Sequence, residues 1–320
     1  METIKKIATG VVRFEQTEKG LCLHRFTEGQ TARFYNPLPY FDGIVRDTYF
    51  GDNCLTTAGI SLDFVTNSRK ICLKMAQNHT PRDAKPGIFD LYVNGKYRLS
   101  FPYMDRVDLH FAAGEKRVTI YCPHFNFPTF SGIEYDGEIR PAGQGIDVLL
   151  MGDSITHGVG AFNPGSSYAN TMARELGVRI LNQAQSGYVY DAETIEKVCD
   201  PKLIICAYGV NDRGRKPFDK LESETNAFYE RLREVYPQVP IAAILPVWTA
   251  NDGPVAAKAR DLYVNIYTKH GLHIIDGLRM IPHDKSYFMD GVHPNNYGGR
   301  IYGKRLAAAL KGIDKLAGLW

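Results

Sequence analysis

The sequence predicts an α/β chain in two parts. An all-β jelly roll or sandwich spans residues 1–140, and a doubly wound five-stranded parallel sheet spans 141–320. Three observations carry this prediction. Short β-rich runs separated by turns fill the first part without helical periodicity. The segment Pro141-Ala142-Gly143-Gln144-Gly145 marks a change of grammar. Beyond it, near-continuous apolar strands alternate with helical patterns, as in a parallel sheet covered on both faces.

In the first part, Gly59 to Val65 and Lys70 to Met75 read as strands, with a hairpin expected at Asn67-Ser68. A second hairpin is expected at Asn94-Gly95, between Phe89–Val93 and Lys96–Leu99, because Asn-Gly suits the tight turn that joins antiparallel strands. In the second part, the five strands are Asp147–Met151, Val178–Leu181, Leu203–Ala207, Ile241–Leu245 and Leu272–Ile275. Helical spacing occupies Tyr168–Leu176, Leu221–Tyr236 and Val255–Lys269, and a last helix follows Pro294.

Composition narrows the function. The chain has 320 residues, enough for two domains, with 44% hydrophobic and 23% charged residues, as in globular proteins. The net charge is +3 and the basic residues are scattered, so no nucleic-acid footprint is read. No run approaches the roughly 20 apolar residues of a membrane span. The run from Ile7 to Val12 is broken by Thr9 and Gly10 and is too short for a secretory signal, so a cytoplasmic protein is expected unless a leader has been removed. The six cysteines lack C-x-x-C spacing and read as reduced, mostly buried thiols.

Ligands of doubly wound sheets bind beyond the carboxyl ends of the strands, and the unusual polar residues fall there. Gly152-Asp153-Ser154-Ile155-Thr156-His157-Gly158 follows the first strand, and Asn182-Gln183-Ala184-Gln185-Ser186-Gly187 the second. Gly209-Val210-Asn211-Asp212 follows the third, and Asp290-Gly291-Val292-His293-Pro294 lies beyond the fifth. In this order the four segments resemble the sequence blocks of the SGNH (GDSL) hydrolase superfamily, whose sheet is flavodoxin-like. The resemblance implies a serine hydrolase with Ser154 as nucleophile, His293 as base and Asp290 orienting the imidazole. It also implies an oxyanion hole formed by the N–H groups of Ser154 and Gly187 and the amide of Asn211. A bare backbone at Gly187 would let substrate approach closely.

Thr57 to Met75 and Gly87-Ile88-Phe89-Asp90-Leu91-Tyr92 resemble the jelly-roll domain that precedes the catalytic domain in a bacterial subset of these hydrolases. That domain is known by a G-x-D-L-Y signature, from which this chain departs by one inserted residue. The layout is similar to family 2 carbohydrate esterases, which remove acetyl groups from plant polysaccharides. It implies an acetylesterase acting on a small-molecule or oligosaccharide ester.

Plainer readings stand beside these. Asp290 and His293 could cap the last helix, and Asn211 could be a turn residue. Asp153 and Asp212 are expected to brace loops, Thr156 to cap or orient the turn, His157 to lie at the surface or rim, and Cys199 and Cys206 to be core. Trp248, just past the fourth strand, is expected on the rim, where it would be a sugar platform or else core packing. The G-x-S-x-G elbow is absent, and G-x-G-x-x-G fails at Asn163. His270 and His273 lack a supporting motif, so no metal and no cofactor are expected. A short-chain carboxylesterase or thioesterase is the alternative enzyme, and a non-catalytic carbohydrate-binding protein is the alternative from another class.

Overall fold

The computed structural model describes residues 1–36, 48–79 and 87–320. The chain opens with α1 (Glu2–Ile7), β1 (Ala8–Thr9), β2 (Arg13–Thr17) and β3 (Gly20–His24), then α2 (Glu28–Phe34) and α3 (Tyr49–Cys54). There follow β4 (Ser61–Thr66), β5 (Lys70–His79), β6 (Ile88–Val93), β7 (Lys96–Pro102), β8 (Arg106–His110), β9 (Lys116–Tyr121), β10 (Phe127–Tyr135) and β11 (Ile139–Pro141). These strands form two antiparallel sheets. One has the order β1-β4-β9-β6-β7 with β11 on β4, and the other the order β2-β3-β10-β5-β8. Leu62, Phe64, Phe89, Leu91, Val118 and Ile120 from the first sheet share a core with Leu21, Leu23, Ile71, Leu73 and Phe130 from the second. Alternate residues of each strand face inward, as the two-residue period of a sheet requires.

β6 turns into β7 through Asn94 (φ 50°) and Gly95 (φ 73°), the left-handed pair that a two-residue hairpin needs. The hairpin expected at Asn67-Ser68 does not form. β4 and β5 lie in different sheets, and this segment carries the chain across. Local acceptors hold it: Thr66 Oγ1 accepts from the Ser68 N–H at 3.0 Å, and Asp136 Oδ1 from the N–H groups of Arg69 and Lys70 at 2.9 and 3.0 Å. The three short helices also depart from the all-β expectation. α2 is started by a capping box, in which Thr27 Oγ1 accepts from the Gln30 N–H and Gln30 Oε1 from the Thr27 N–H.

The second part runs β12 (Val148–Gly152), α4 (Ser154–His157), α5 (Tyr168–Leu176), β13 (Ile180–Asn182), β14 (Leu203–Ala207), α6 (Asp212–Arg215) and α7 (Phe218–Val235). It ends with β15 (Ile241–Ile244), α8 (Pro254–Lys269), β16 (His273–Ile275) and α9 (Asn296–Lys311). The five strands form a parallel sheet in the order β13-β12-β14-β15-β16, as the doubly wound prediction requires. Val148 and Leu150 face α5 and α9, packing with Met172, Tyr302 and Leu306. Leu149 and Met151 face α7 and α8, packing with Phe228, Leu232, Tyr263 and Ile266. The central strands β12, β14 and β15 are covered on both faces and apolar throughout, whereas the edge strand β16 carries His273 and an exposed Ile274.

The two parts are sewn together at the carboxyl end of β13. Arg25, fully buried, donates to the carbonyls of Asn182 (2.6 Å) and Ala184 (3.0 Å) on one side and Thr56 (2.7 Å) on the other. Burial presses its guanidinium pKa down to about 9. All six cysteines are free thiols, and five of them are buried. Among the described residues, no helix is long and apolar enough to cross a membrane.

Candidate active site

β12 ends at Gly152, where a side chain would strike Thr156 and the Ala207 carbonyl. Asp153 then caps the single turn of α4, its carboxylate accepting from the Ile155 N–H at 3.0 Å. Ser154 is therefore the first helical residue, and its own N–H has no use within the helix. Gly158, at φ 112°, ends the turn in the left-handed conformation. The strand–cap–turn sequence thus presents Ser154 at the sheet's carboxyl edge.

Asp290 organises the second half of the site. Its Oδ1 accepts from the N–H groups of Val292 (3.0 Å) and His293 (2.8 Å), and Oδ2 accepts from His293 Nδ1 at 2.7 Å. One carboxylate oxygen therefore fixes the turn and the other fixes the ring. With Nδ1 donating, Nε2 is the acceptor, and it lies 2.8 Å from Ser154 Oγ. Partial burial works to raise the Asp290 carboxyl, but the hydrogen bonds from His293 and Val292 outweigh it and hold the group below its ordinary range. The plain reading of Asp290 and His293 as a helix cap fails, because α9 is capped by Asn295. The structure brings Ser154, His293 and Asp290 into one hydrogen-bonded chain.

Gly187 sits at φ 78°, and here the reason for glycine differs from the expected one. A Cβ would meet only ordinary contact, 3.4 Å from the Tyr49 ring. The left-handed backbone, rather than crowding, calls for glycine. Asn211 donates through Nδ2 to the Tyr188 carbonyl at 3.0 Å, which leaves the second amide hydrogen for another acceptor. Asn211 and Gly187 are therefore tied to one loop.

Several supporting residues escaped the sequence reading. His157 is fully buried rather than at the rim. Its Nδ1 accepts from the Ser186 N–H (3.3 Å), and its Nε2 meets Thr56 Oγ1 (3.1 Å) and the His124 carbonyl (2.9 Å). Phe125 stacks on its ring at 4.9 Å. His157 thus locks the Ser154 turn to the Gly187 loop and to the β-sandwich, where a rim residue would touch neither. Arg215, one turn after Asn211, donates to the Gly187 carbonyl. Asp90 of the G-x-D-L-Y-like segment accepts from Ser100, from Asn163 Nδ2 (2.9 Å) and from the Gly165 N–H (2.8 Å). Asn163 in turn pairs with Asn296 at the start of α9, so the β-sandwich braces the helix that follows His293.

Asp153 and Asp212 brace loops as expected: Asp212 accepts from the Tyr190 N–H and from Lys216. Burial, helped by the charge of Asp212, pushes the Asp153 carboxyl up to about 7. Thr156 meets the Tyr168 hydroxyl at 2.7 Å. Cys206 is core and Cys199 only half-buried. Trp248 is half-buried, with His283 stacked on it at 5.4 Å and Phe288 packed against it. Phe288 in turn bridges to Pro294 across the Asp290–His293 turn, so Trp248 packs on a residue that flanks that turn. Among the described residues, no group of three His, Cys, Asp or Glu side chains is placed to hold a metal.

The fold has counterparts. Residues 150–301 match the sequence model of the GDSL-like lipase/acylhydrolase family. That match, over just under half of the chain, supports a serine ester hydrolase. Its fold is similar to that of the salicylyl-acyltransferase SsfX3 from a tetracycline biosynthetic pathway, with 21% identity, 96% of each chain covered and a TM-score of 0.76. An acetyl xylan esterase from the rumen bacterium Butyrivibrio proteoclasticus gives 17% identity over 82% of this chain and 90% of that one, with a TM-score of 0.63. A family two carbohydrate esterase from Clostridium thermocellum, in complex with cellohexaose, gives 16%, 83%, 94% and 0.62 for the same measures. No curated protein matches the chain.

Proposed function

We propose that this chain hydrolyses small acyl esters, acetyl esters of carbohydrates foremost, through Ser154, His293 and Asp290. The observation that carries the reading is the continuous hydrogen-bonded chain from Ser154 Oγ through the His293 ring to Asp290. His293 Nε2 takes the hydroxyl proton as Ser154 Oγ bonds to the ester carbonyl carbon. The carbonyl oxygen becomes an oxyanion, met by the N–H groups of Ser154 and Gly187 and the amide of Asn211. Collapse breaks the ester C–O bond, and His293 returns its proton to the departing alcohol oxygen. Water then attacks the acyl-serine with His293 again as base, releasing the carboxylic acid and restoring Ser154.

The acetyl and carbohydrate parts of the reading draw on the printed descriptions of two relatives of the fold, an acetyl xylan esterase and a cellohexaose-bound carbohydrate esterase. An acyltransferase overlaps 96% of both chains, and this favours a second reading in which an alcohol replaces water in the last step. A non-catalytic sugar-binding role is disfavoured by the assembled nucleophile, base and acid. The test is acetate release from acetylated oligosaccharides and from a plain activated acetate ester, with and without added alcohol. Release by wild type and its loss in Ser154→Ala support the proposal. Release that survives Ser154→Ala, or no release at all, overturns it.

A further inference from the structure

The two backbone donors of the proposed oxyanion hole come from separate elements, and both must point at one oxygen. Ser154 opens α4. Gly187 is the third residue of a β-turn, Gln185-Ser186-Gly187-Tyr188, closed by the Tyr188 N–H on the Gln185 carbonyl at 3.1 Å. Its φ of 78° is the positive value that a type II turn takes at that position. The Gly187 N–H belongs to the central peptide of this turn. The peptide before it is held by His157, whose Nδ1 accepts from the Ser186 N–H at 3.3 Å, and the peptide after it by Arg215, which donates to the Gly187 carbonyl. His157 closes α4, so its ring spans the gap between the elements that carry the two donors. Two other bonds cross that gap, from the Gln185 N–H to the Gly152 carbonyl (2.9 Å) and from Asn182 Nδ2 to the Thr156 carbonyl (2.8 Å). Both leave the loop before Ser186, and the His157 bond is the crossing nearest Gly187.

Accepting at Nδ1 places the ring proton of His157 on Nε2. Thr56 Oγ1 gives its own proton to the Asn53 carbonyl (2.7 Å), so Nε2–H donates to the His124 carbonyl (2.9 Å) and to Thr56 Oγ1 (3.1 Å). His157 is thus a neutral imidazole with both nitrogens used. It is 0% exposed, and it acts on the reaction only through what it holds. Resting on the ester-hydrolase reading above, we infer that His157 is a positioning residue for the oxyanion hole. Its bond to the Ser186 N–H sets where the Gly187 donor stands relative to that of Ser154. Tying the two parts of the chain together falls to the other nitrogen.

The two nitrogens can be tested apart. Asn at position 157 carries an amide oxygen where Nδ1 stands and nothing at the Nε2 position. Gln reaches the Nε2 position and donates to the His124 carbonyl, but leaves the Ser186 N–H without its acceptor. Both variants lose the stack on Phe125, so that loss cancels between them. On a plain activated acetate ester, His157→Gln is expected to lower kcat about 10²-fold, the order that a misplaced catalytic group costs. KM should change by less than about twofold, since the lost alignment matters in the transition state. His157→Asn should bring kcat back to within about fivefold of wild type, the remainder being of the size of one hydrogen bond. Both variants should melt below wild type, so kcat and Tm part company. A kcat in His157→Gln equal to or above that in His157→Asn, or a loss confined to KM, overturns the inference and leaves the ester-hydrolase reading standing. In wild type, the nitrogen-15 spectrum of the His157 ring should show Nε2 protonated and Nδ1 bare; a proton on Nδ1 overturns the inference without any variant. No turnover by wild type, or turnover that survives Ser154→Ala, overturns the underlying reading and the inference with it.

Discussion

Replacing Asp153 by Asn removes a pH dependence that the wild-type fold builds in. The carboxyl is 1% exposed and its pKa stands at about 7, raised by burial first and by the charge of Asp212 in the same direction. In the unfolded chain the same group titrates near its ordinary value of about 3.9. Between those values the unfolded state has lost the proton and the folded state has kept it. The unfolded state then binds fewer protons, so stability falls as pH rises through this window. Below about pH 4 both states are protonated and the penalty vanishes; above about pH 7 both are ionised and it is complete, on the order of 4 kcal/mol. Asn keeps the oxygen that accepts from the Ile155 N–H and carries no charge. Asp153→Asn is therefore expected to be more stable than wild type by a few kcal/mol at pH 8, with the difference shrinking toward zero at pH 4. Urea unfolding of both proteins across that range measures it. A difference that is flat with pH, or that grows toward acid, refutes the reasoning.

Other consequences follow from the same geometry. Asn211→Ala should lower kcat about 10²–10³-fold with little change in KM, because its hydrogen bond matters mainly in the transition state; a loss confined to KM would contradict this. Asp290, held below the ordinary carboxylate range by its hydrogen bonds from His293 and Val292, should stay ionised at a pH where an unperturbed carboxylate is half protonated; an Asp290 carboxyl carbon signal that titrates at or above the ordinary carboxylate value would contradict this. Trp248→Ala should slow an acetylated oligosaccharide and a plain acetate ester equally, since the ring packs on His283 and Phe288; a loss specific to the sugar would make Trp248 a platform.

What the sequence revealed and what it concealed divide along one line. Local signals were legible: the apolar period of β12 and β14, the helical spacing of α5, the left-handed pair Asn94-Gly95, and the clustering of Ser154, Asn211, Asp290 and His293 at strand ends. Contacts made across the fold were not. The Asn67-Ser68 segment has the composition of a hairpin, and only the pairing of β4 and β5 with different partners shows that it crosses between sheets. His157 reads as a polar residue one turn past Ser154, and its burial depends on Thr56 and Phe125, which come from the other part of the chain. Arg25 acts through carbonyls, which carry no side-chain signature. α2 could have been found, since Thr27-Glu28-Gly29-Gln30 spells a capping box.

The most direct measurement of the central claim is covalent labelling with a fluorophosphonate, read by mass spectrometry of the digested protein. The account predicts one phosphonyl group per chain, on Ser154, forming quickly in wild type and far more slowly in His293→Ala, where the hydroxyl has lost its base. Labelling on another residue, or labelling of Ser154 at the same rate with and without His293, would contradict it.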